Sequence, residues 1–432
     1  MSIRQLFVLA SFALALQAQA QVSASDTIGL DQALQAAREN LEVALARRSL
    51  AAAQADIVSA NRSPFPTLTA KLSQMDLQNG TGSGNFFTEQ HIDKSLGVDW
   101  TWERGNKREL RTLSAQRAAA AAQADLEDIS TRQLLDTQAS FFELLAAQER
   151  LAQVSLIERS AAQLAFSAQK RVEAGDLAAQ DAARTEIEAQ RAGSDVQLAE
   201  LDRQRAALTL WQLTGLPTPP ETLKARADWP DLALAPAPNV DLAALEDARA
   251  DVRAAQARVL AAQAALDGSS AQKYADITWG ASYDHYPGTS TALVELRMQM
   301  PLQWGYSYQG EIGRAAAQLA LAQDTLEKLR RLARIELQRL QHEALSTAQR
   351  ARIYETSILP RARKVAEGAE LAFSKGAMSL TDLLDARRTL RTTLLDALAA
   401  RTDYARAAVA WQLRTQADAS SPSPTASTDF NK

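Results

Sequence analysis

Lys375-Gly376-Ala377-Met378-Ser379-Leu380-Thr381-Asp382-Leu383-Leu384-Asp385-Ala386-Arg387-Arg388 is the stretch on which the reading of the chain turns. Gly376 can take a positive φ and so close one helix. Ser379 and Thr381 can cap the next, with Asp382 and Asp385 in its first turns near the positive end of the dipole. The two acids are three residues apart and share a helix face. About 200 residues earlier, Arg171-Val172-Glu173-Ala174-Gly175-Asp176-Leu177-Ala178-Ala179-Gln180-Asp181-Ala182-Ala183-Arg184 repeats the design. Asp181 follows Gly175 by six residues, as Asp382 follows Gly376.

Long helical tracts flank both glycine turns. From Gly105 to about Val172 there is no Pro, and about 67 helical residues reach on the order of 100 Å. A coiled coil or helical barrel uses such a helix; an ordinary globular domain does not. A returning helix follows to about Thr214, where Gly215 ends it. Pro217, Pro219, Pro220, Pro230, Pro236 and Pro238 then mark a linker. In the second half a helix runs from about Tyr308 to Lys375 with an interruption at Pro360, and another returns from Gly376 to about Arg414. Two further helices are expected, Gly29 to Arg62, stopped by Pro64 and Pro66, and Asp241 to Leu266.

Between these helices the period changes from helical to two. Roughly Thr67 to Leu77 reads as a strand. Roughly Ile92 to Glu103 sets Leu96, Val98, Trp100 and Trp102 on one face and Ser95, Gly97, Asp99, Thr101 and Glu103 on the other. Asn79 to Asn85 is a polar, glycine-rich loop between them. Asp276 to Tyr286 alternates in the same way, a turn follows at Pro287-Gly288, and Ala292, Val294, Leu296, Met298, Met300 and Leu302 form one face of a fourth strand.

The halves align at an offset near 200: Glu103-Arg104-Gly105 falls on Gln303-Trp304-Gly305, and Trp211-Gln212-Leu213 on Trp411-Gln412-Leu413. The order helix, strand pair, long helix, glycine turn, helix is read twice, as an internal duplication. The domains expected are a signal peptide at 1–20, a first repeat at 21–216, a Pro-rich linker at 217–240, a second repeat at 241–416 and a disordered Ser/Pro/Thr-rich tail at 417–432. The signal rests on Arg4, the short apolar run Leu6 to Leu16 and an Ala18-Gln19-Ala20 cleavage site. Beyond it no run of about 18 apolar residues predicts a transmembrane helix.

Each expected strand has the length of a tilted transmembrane β-strand and an apolar face carrying aromatics. Four strands cannot close a barrel, and lipid does not tolerate open edges. Several chains must then contribute, and three copies would give 12 strands, within the range of known barrels. The fold class expected is mainly α with a small β part, a long α-helical barrel plus a transmembrane β-barrel built by a trimer.

The duplicated plan, Ile358-Leu359-Pro360-Arg361-Ala362 and Gly376 through Leu390 resemble the trimeric outer-membrane efflux factors, the TolC-like family. Glu103-Arg104-Gly105-Asn106-Lys107-Arg108-Glu109-Leu110-Arg111 and Arg171 to Asp176 look like its heavy-metal branch, the CzcC/CusC-type partners of resistance-nodulation-division (RND) pumps. The resemblance implies a passive duct from periplasm to exterior in the outer membrane of a Gram-negative bacterium. Its implied partners are two further copies in a homotrimer, a periplasmic adaptor (membrane fusion) protein, an inner-membrane RND pump and outer-membrane lipid. Asp382 and Asp385 match acids that line the narrowed periplasmic end in relatives, and Asp181 matches the acid of the first repeat. Rings of carboxylates can act as gate and cation filter; acids near a helix start are also ordinary dipole partners. Gly175, Asp176, Lys375 and Gly376 are the helix tips on which the adaptor would dock, or simple hairpin caps. Some relatives latch the closed tip with an Arg two residues after the glycine and a Tyr three before it. Met378 and Phe373 stand there, with Lys375 or Arg387 as possible substitutes.

Heavy-metal cations (Co/Zn/Cd or Cu/Ag) are the cargo this branch implies. Drugs or secreted polypeptides stay open as cargo, since a wide duct need not encode its substrate, and a secreted structural coiled coil is the alternative outside the channel class. A net charge of -4 gives no basic footprint for nucleic acid. Three His, five Met and no Cys, without ligand spacing, predict no metal site and no cofactor. No nucleophile motif, P-loop or dinucleotide fingerprint is present, so no enzyme is expected.

Overall fold

Period-2 alternation becomes a single four-stranded antiparallel sheet in the computed structural model, which describes residues 27–75, 78, 82–83, 92–232, 241–287 and 290–419. The expected signal peptide, most of the Asn79–Asn85 loop, His91, the last part of the linker and the tail from Ser420 lie outside the described residues. The elements in chain order are β1 (Thr27–Ile28), α1 (Leu30–Ala37), α2 (Leu41–Ala60), β2 (Thr67–Ser73), β3 (Asp93–Trp102), α3 (Lys107–Glu173), α4 (Ala179–Thr214), β4 (Lys224–Ala225), α5 (Leu242–Ala248), α6 (Ala250–Ala271), β5 (Ile277–Tyr286), β6 (Ser290–Gln299), α7 (Gln309–Ile353), a π-turn (Tyr354–Ile358), α8 (Leu359–Ser374) and α9 (Leu380–Ala419).

The chain packs as two units. The first draws on Met1–Asn40, Arg132–Pro238 and Leu340–Arg414, the second on Leu41–Thr131, Asn239–Arg339 and Thr415–Lys432. In the second unit the sheet order is β2-β3-β5-β6. Leu68 pairs with Val98, Val98 with Ala281, and Ala281 with Leu296, so the apolar positions of all four strands share one face. That face is bare: Trp100 is 55% exposed and Leu296 82%. The other face is polar. There Asp99 accepts from Thr69 Oγ1 (2.8 Å) and from Arg297 Nη2 (2.6 Å), tying three strands together. Gly97 and Gly280 lie on this face, where an added Cβ at Gly97 would meet Ser282 Cβ at 2.9 Å and one at Gly280 would meet Asp99 Oδ1 at 2.3 Å. At Gly97 the neighbouring strand leaves no room for a side chain, whereas at Gly280 the obstacles are the mobile ends of Asp99 and Arg297.

In the first unit the core is aromatic and small. Phe141 and Phe142 on α3 meet edge to face at 5.6 Å, and Trp229 stacks on Phe142 at 5.9 Å. Leu210 of α4 and Ala405 and Val409 of α9 close the cluster. The first part of the Pro-rich linker packs into it: Leu223 and Ala225 are buried. Gln148 grips Ala225 by both polar atoms, accepting from its N–H (2.8 Å) and donating to its carbonyl (3.0 Å). This lets β4 lie parallel to β1, a pairing that residues 27–28 and 224–225 are too short to announce.

Several boundaries differ from expectation, each for a local reason. The Gly29–Arg62 helix is two helices, because Asn40 leaves the ladder and its side-chain amide donates to the Leu213 carbonyl. The Asp241–Leu266 helix breaks at Arg249, whose ψ of 137° frees its side chain for a buried ion pair, and then runs on to Ala271. The first strand stops at Ser73, where Gln74 takes a φ of 58°, and Leu77 lies outside the described residues. Met300 and Leu302 lie past the end of β6. At Pro360 the chain stays helical. Pro lacks an N–H, and one wide turn absorbs the mismatch just before it, with Leu359 N–H donating to the Tyr354 carbonyl. The last helix continues to Ala419, five residues past the expected Arg414.

Candidate functional site: the paired helix tips

Both glycine turns lie in the first unit and close in the same way. Gly175 and Gly376 have φ of 80° and 75°. Gly175 N–H donates to the Val172 carbonyl (3.0 Å) and Asp176 N–H to Arg171 (2.8 Å). Gly376 N–H donates to Phe373 (3.0 Å) and Ala377 N–H to Ala372 (2.9 Å). This is the Schellman pattern, which pairs the last carbonyls of α3 and α8. An added Cβ would meet nothing within 4 Å at either glycine, so both turns face open space. Asp176 and Lys375 are exposed beside them.

The start of α9 carries the cap that its sequence predicts. Ser379 Oγ accepts from the Asp382 N–H (3.2 Å) and donates to Asp382 Oδ2 (2.7 Å). Ser379 is thus the N-cap, and Asp382, three residues on, sits at the positive end of the helix. Thr381 is not the cap; its hydroxyl instead accepts from Arg184 Nη1 (3.3 Å).

The three candidate acids stand in different settings. Asp382 is exposed, and among the described residues its carboxylate takes only the Ser379 hydroxyl. Asp181 is half-buried and lies 3.7 Å from Arg184. Asp385 is exposed at the rim of a cleft of about 300 Å³ that Arg184 and Arg388 also line. Two of the acids therefore have a guanidinium beside them, and Asp382 keeps the least compensated charge.

Met378 and Phe373 fill the place of a charged latch with packing. Both sit against buried Ala369, Leu380, Leu383 and Leu384, with Leu164 of α3. The Arg171 guanidinium lies over the Phe373 ring at 5.8 Å and ties one tip to the other. Arg387 does not reach across; it pairs with Glu370 of α8 at 3.0 Å.

Ion pairs continue this tie between α4 and α9. Arg388 meets Glu188 at 3.0 Å and Arg391 meets Asp195 at 3.1 Å. The Arg388 hydrogen bond holds the Glu188 carboxyl below the ordinary glutamate value, against the opposing pull of its partial burial. Glu188 and Arg388 are 200 residues apart, the offset of the aligned halves, so equivalent positions lie side by side. That offset was the one signal that could have found this pair.

Among the described residues no group of three or more His, Cys, Asp or Glu is placed to hold a metal, and no helix is long and apolar enough to cross a membrane. Residues 29–216 match the model of the outer membrane efflux protein family. Over residues 29–216 the chain is similar to this TolC-like family. It is an outer-membrane protein of a Gram-negative bacterium and a non-enzymatic efflux channel of a tripartite system. It is 27% identical over 376 residues to the cobalt-zinc-cadmium resistance protein CzcC of Cupriavidus metallidurans, covering 85% of each chain. Its fold is similar to that of CusC (TM-score 0.70, 15% identity, 89% of this chain and 91% of that one). It is also similar to the Campylobacter jejuni CmeC outer membrane channel (TM-score 0.74, 14% identity, 90% of this chain and 86% of that one).

Proposed function

We propose that three copies of this efflux protein close one 12-stranded barrel in the outer membrane, and that the duct so formed exports heavy-metal cations. The observation that carries the assembly is the four-stranded sheet with one bare apolar face. Such a face suits lipid, and a sheet in lipid must be closed by neighbours. The two repeats, 21–216 and 241–416, would be copies of one unit joined by residues 217–240, after removal of 1–20 and ahead of the tail at 417–432. The exposed tips at Gly175, Asp176, Lys375 and Gly376 are the docking points for a periplasmic adaptor, which links the duct to an inner-membrane RND pump.

Likeness to a cobalt-zinc-cadmium resistance protein supports cobalt, zinc and cadmium as cargo ahead of copper and silver. A strain lacking the chain should lose tolerance to one of these metal sets and keep tolerance to a drug panel. Unchanged metal tolerance with lost drug tolerance would sink the metal assignment and leave the channel.

Asp382, Asp385 and Asp181 are proposed as the acids of the periplasmic constriction, where a threefold axis would bring like charges together. Their settings rank them. Asp382→Asn should lower cation over anion selectivity in planar bilayers more than Asp385→Asn, which already has Arg388 nearby. Equal selectivity in wild type and the double variant would take both acids out of the pore.

A further inference from the structure

The run Glu103 to Arg111 differs from its partner in the second half in one way that the channel does not use. At the foot of β3 it is basic: Arg104, Lys107, Arg108 and Arg111. At the foot of β6 the aligned run Gln303-Trp304-Gly305-Tyr306-Ser307-Tyr308 is aromatic and uncharged. Trp102 (54%) at the end of β3 and Trp304 (84%) beyond the end of β6 are both exposed.

A cleft of about 370 Å³ opens at the foot of β3, within the second unit. Trp100 and Trp102 line one side; Ser63, Arg104, Lys107 and Arg108 line the other. Two of the nearby cations are already matched. Lys107 pairs with Asp276 (2.8 Å) and Arg111 with Glu103 (2.9 Å). Arg108 is different: among the described residues its partners are the neutral Asn61 Oδ1 (3.0 Å) and Ser63 Oγ (3.1 Å), and no carboxylate offsets its charge. Arg104 gives its backbone N–H to Asp276 (3.0 Å), and among the described residues its guanidinium pairs with no carboxylate. The lining also holds two acids, Glu109 and Glu103, the latter paired with Arg111.

Two guanidinium groups without a carboxylate partner among the described residues, in one cleft with Trp100 and Trp102, fit a molecule with an anionic head and an apolar body. The geometry points to a binding site for the phosphodiester headgroup of an anionic membrane phospholipid, with its acyl chains along Trp100, Val98 and Leu96. Guanidinium groups bind phosphate by paired hydrogen bonds, and indoles settle at the boundary between headgroups and chains. The first unpaired N–H groups of α3 add positive potential to the same cleft. The inference rests on the barrel reading, because it needs the apolar face of the sheet to meet lipid. It gives the basic run a role that the aromatic run of the second half cannot fill: the aromatic foot sets depth, and the basic foot chooses the headgroup.

The test uses the purified full-length protein and its Arg104→Gln variant, since among the described residues the Arg104 guanidinium pairs with no carboxylate whose charge the change would strand. In native mass spectrometry the wild type should retain phosphatidylglycerol in preference to phosphatidylcholine, and Arg104→Gln should bind it about fivefold more weakly, from roughly 1 kcal/mol per basic residue near a lipid surface. In vesicles, brominated phosphatidylglycerol should quench tryptophan fluorescence more than brominated phosphatidylcholine, and the variant should remove the difference. Equal quenching by both lipids in the wild type overturns the site and leaves the barrel standing. No quenching by either lipid takes the sheet out of the membrane and overturns both. Displacement of the lipid by glycerol phosphate at equal concentration would identify a free-phosphate site and overturn the lipid assignment.

Discussion

Leu296→Arg should abolish recovery of the protein from outer-membrane fractions. Leu296 is in the middle of β6, 82% exposed, on the face it shares with Val98 and Ala281. An Arg on the lipid face near the bilayer midplane costs about 2–4 kcal/mol, and a trimer would carry that cost three times. Glu295→Gln, one residue away on the polar face, should leave recovery unchanged. The pair is measured by membrane fractionation and by the yield of assembled oligomer on mild electrophoresis. Normal assembly of Leu296→Arg together with loss of Glu295→Gln would reverse the assignment of the two faces.

Arg249→Met should be the most damaging single change away from the membrane face. Arg249 is buried at 2% exposure between two helices that its own backbone separates. Its guanidinium meets Asp251 and Glu336, each at 2.8 Å. Burial pulls its proton affinity down, and the two carboxylates more than restore it, so the group stays charged above the ordinary arginine range. Removing one member of such a buried set strands the others, at a cost of about 3–5 kcal/mol. The loss should appear as an unfolding midpoint at clearly lower denaturant, followed by helical circular dichroism. Arg249→Lys keeps the charge but not the fork, and should fall between wild type and Arg249→Met. A midpoint unchanged by Arg249→Met would show that the network contributes nothing to stability.

The two halves of the fold differed in how plainly they were written. Strands were legible because alternation needs only local order: Leu96, Val98, Trp100 and Trp102 declare a face without reference to any other element. The glycine turns were legible for the same reason, since Gly175 and Gly376 take the positive φ that few other residues accept. The break at Arg249 was not, because Arg is a good helix former and nothing nearby signals a stop. Its cause is Glu336, 87 residues away. The tips divided similarly. The Ser379 cap of the Asp382 N–H is a local pattern and was read as a cap. Arg171 over Phe373 and Arg388 against Glu188 join segments about 200 residues apart, and side-chain partners at that separation follow from packing, not from propensity. The packing role of Met378 and Phe373 was hidden for the same reason. Only the contents of their cluster reveal that Met378 and Phe373 make an apolar contact there.

Among the described residues β2 and β6 each have a strand neighbour on one side only. In the proposed barrel their outward N–H and C=O groups would pair with other chains before hydrocarbon surrounds them. Insertion then becomes a step of high molecular order. When chains are scarce, the yield of inserted ducts should fall more steeply than the amount synthesised, and a chain that pairs at one edge but not the other would poison the copies it joins. Gene dosage, and not only sequence, would then set how much export a cell can mount.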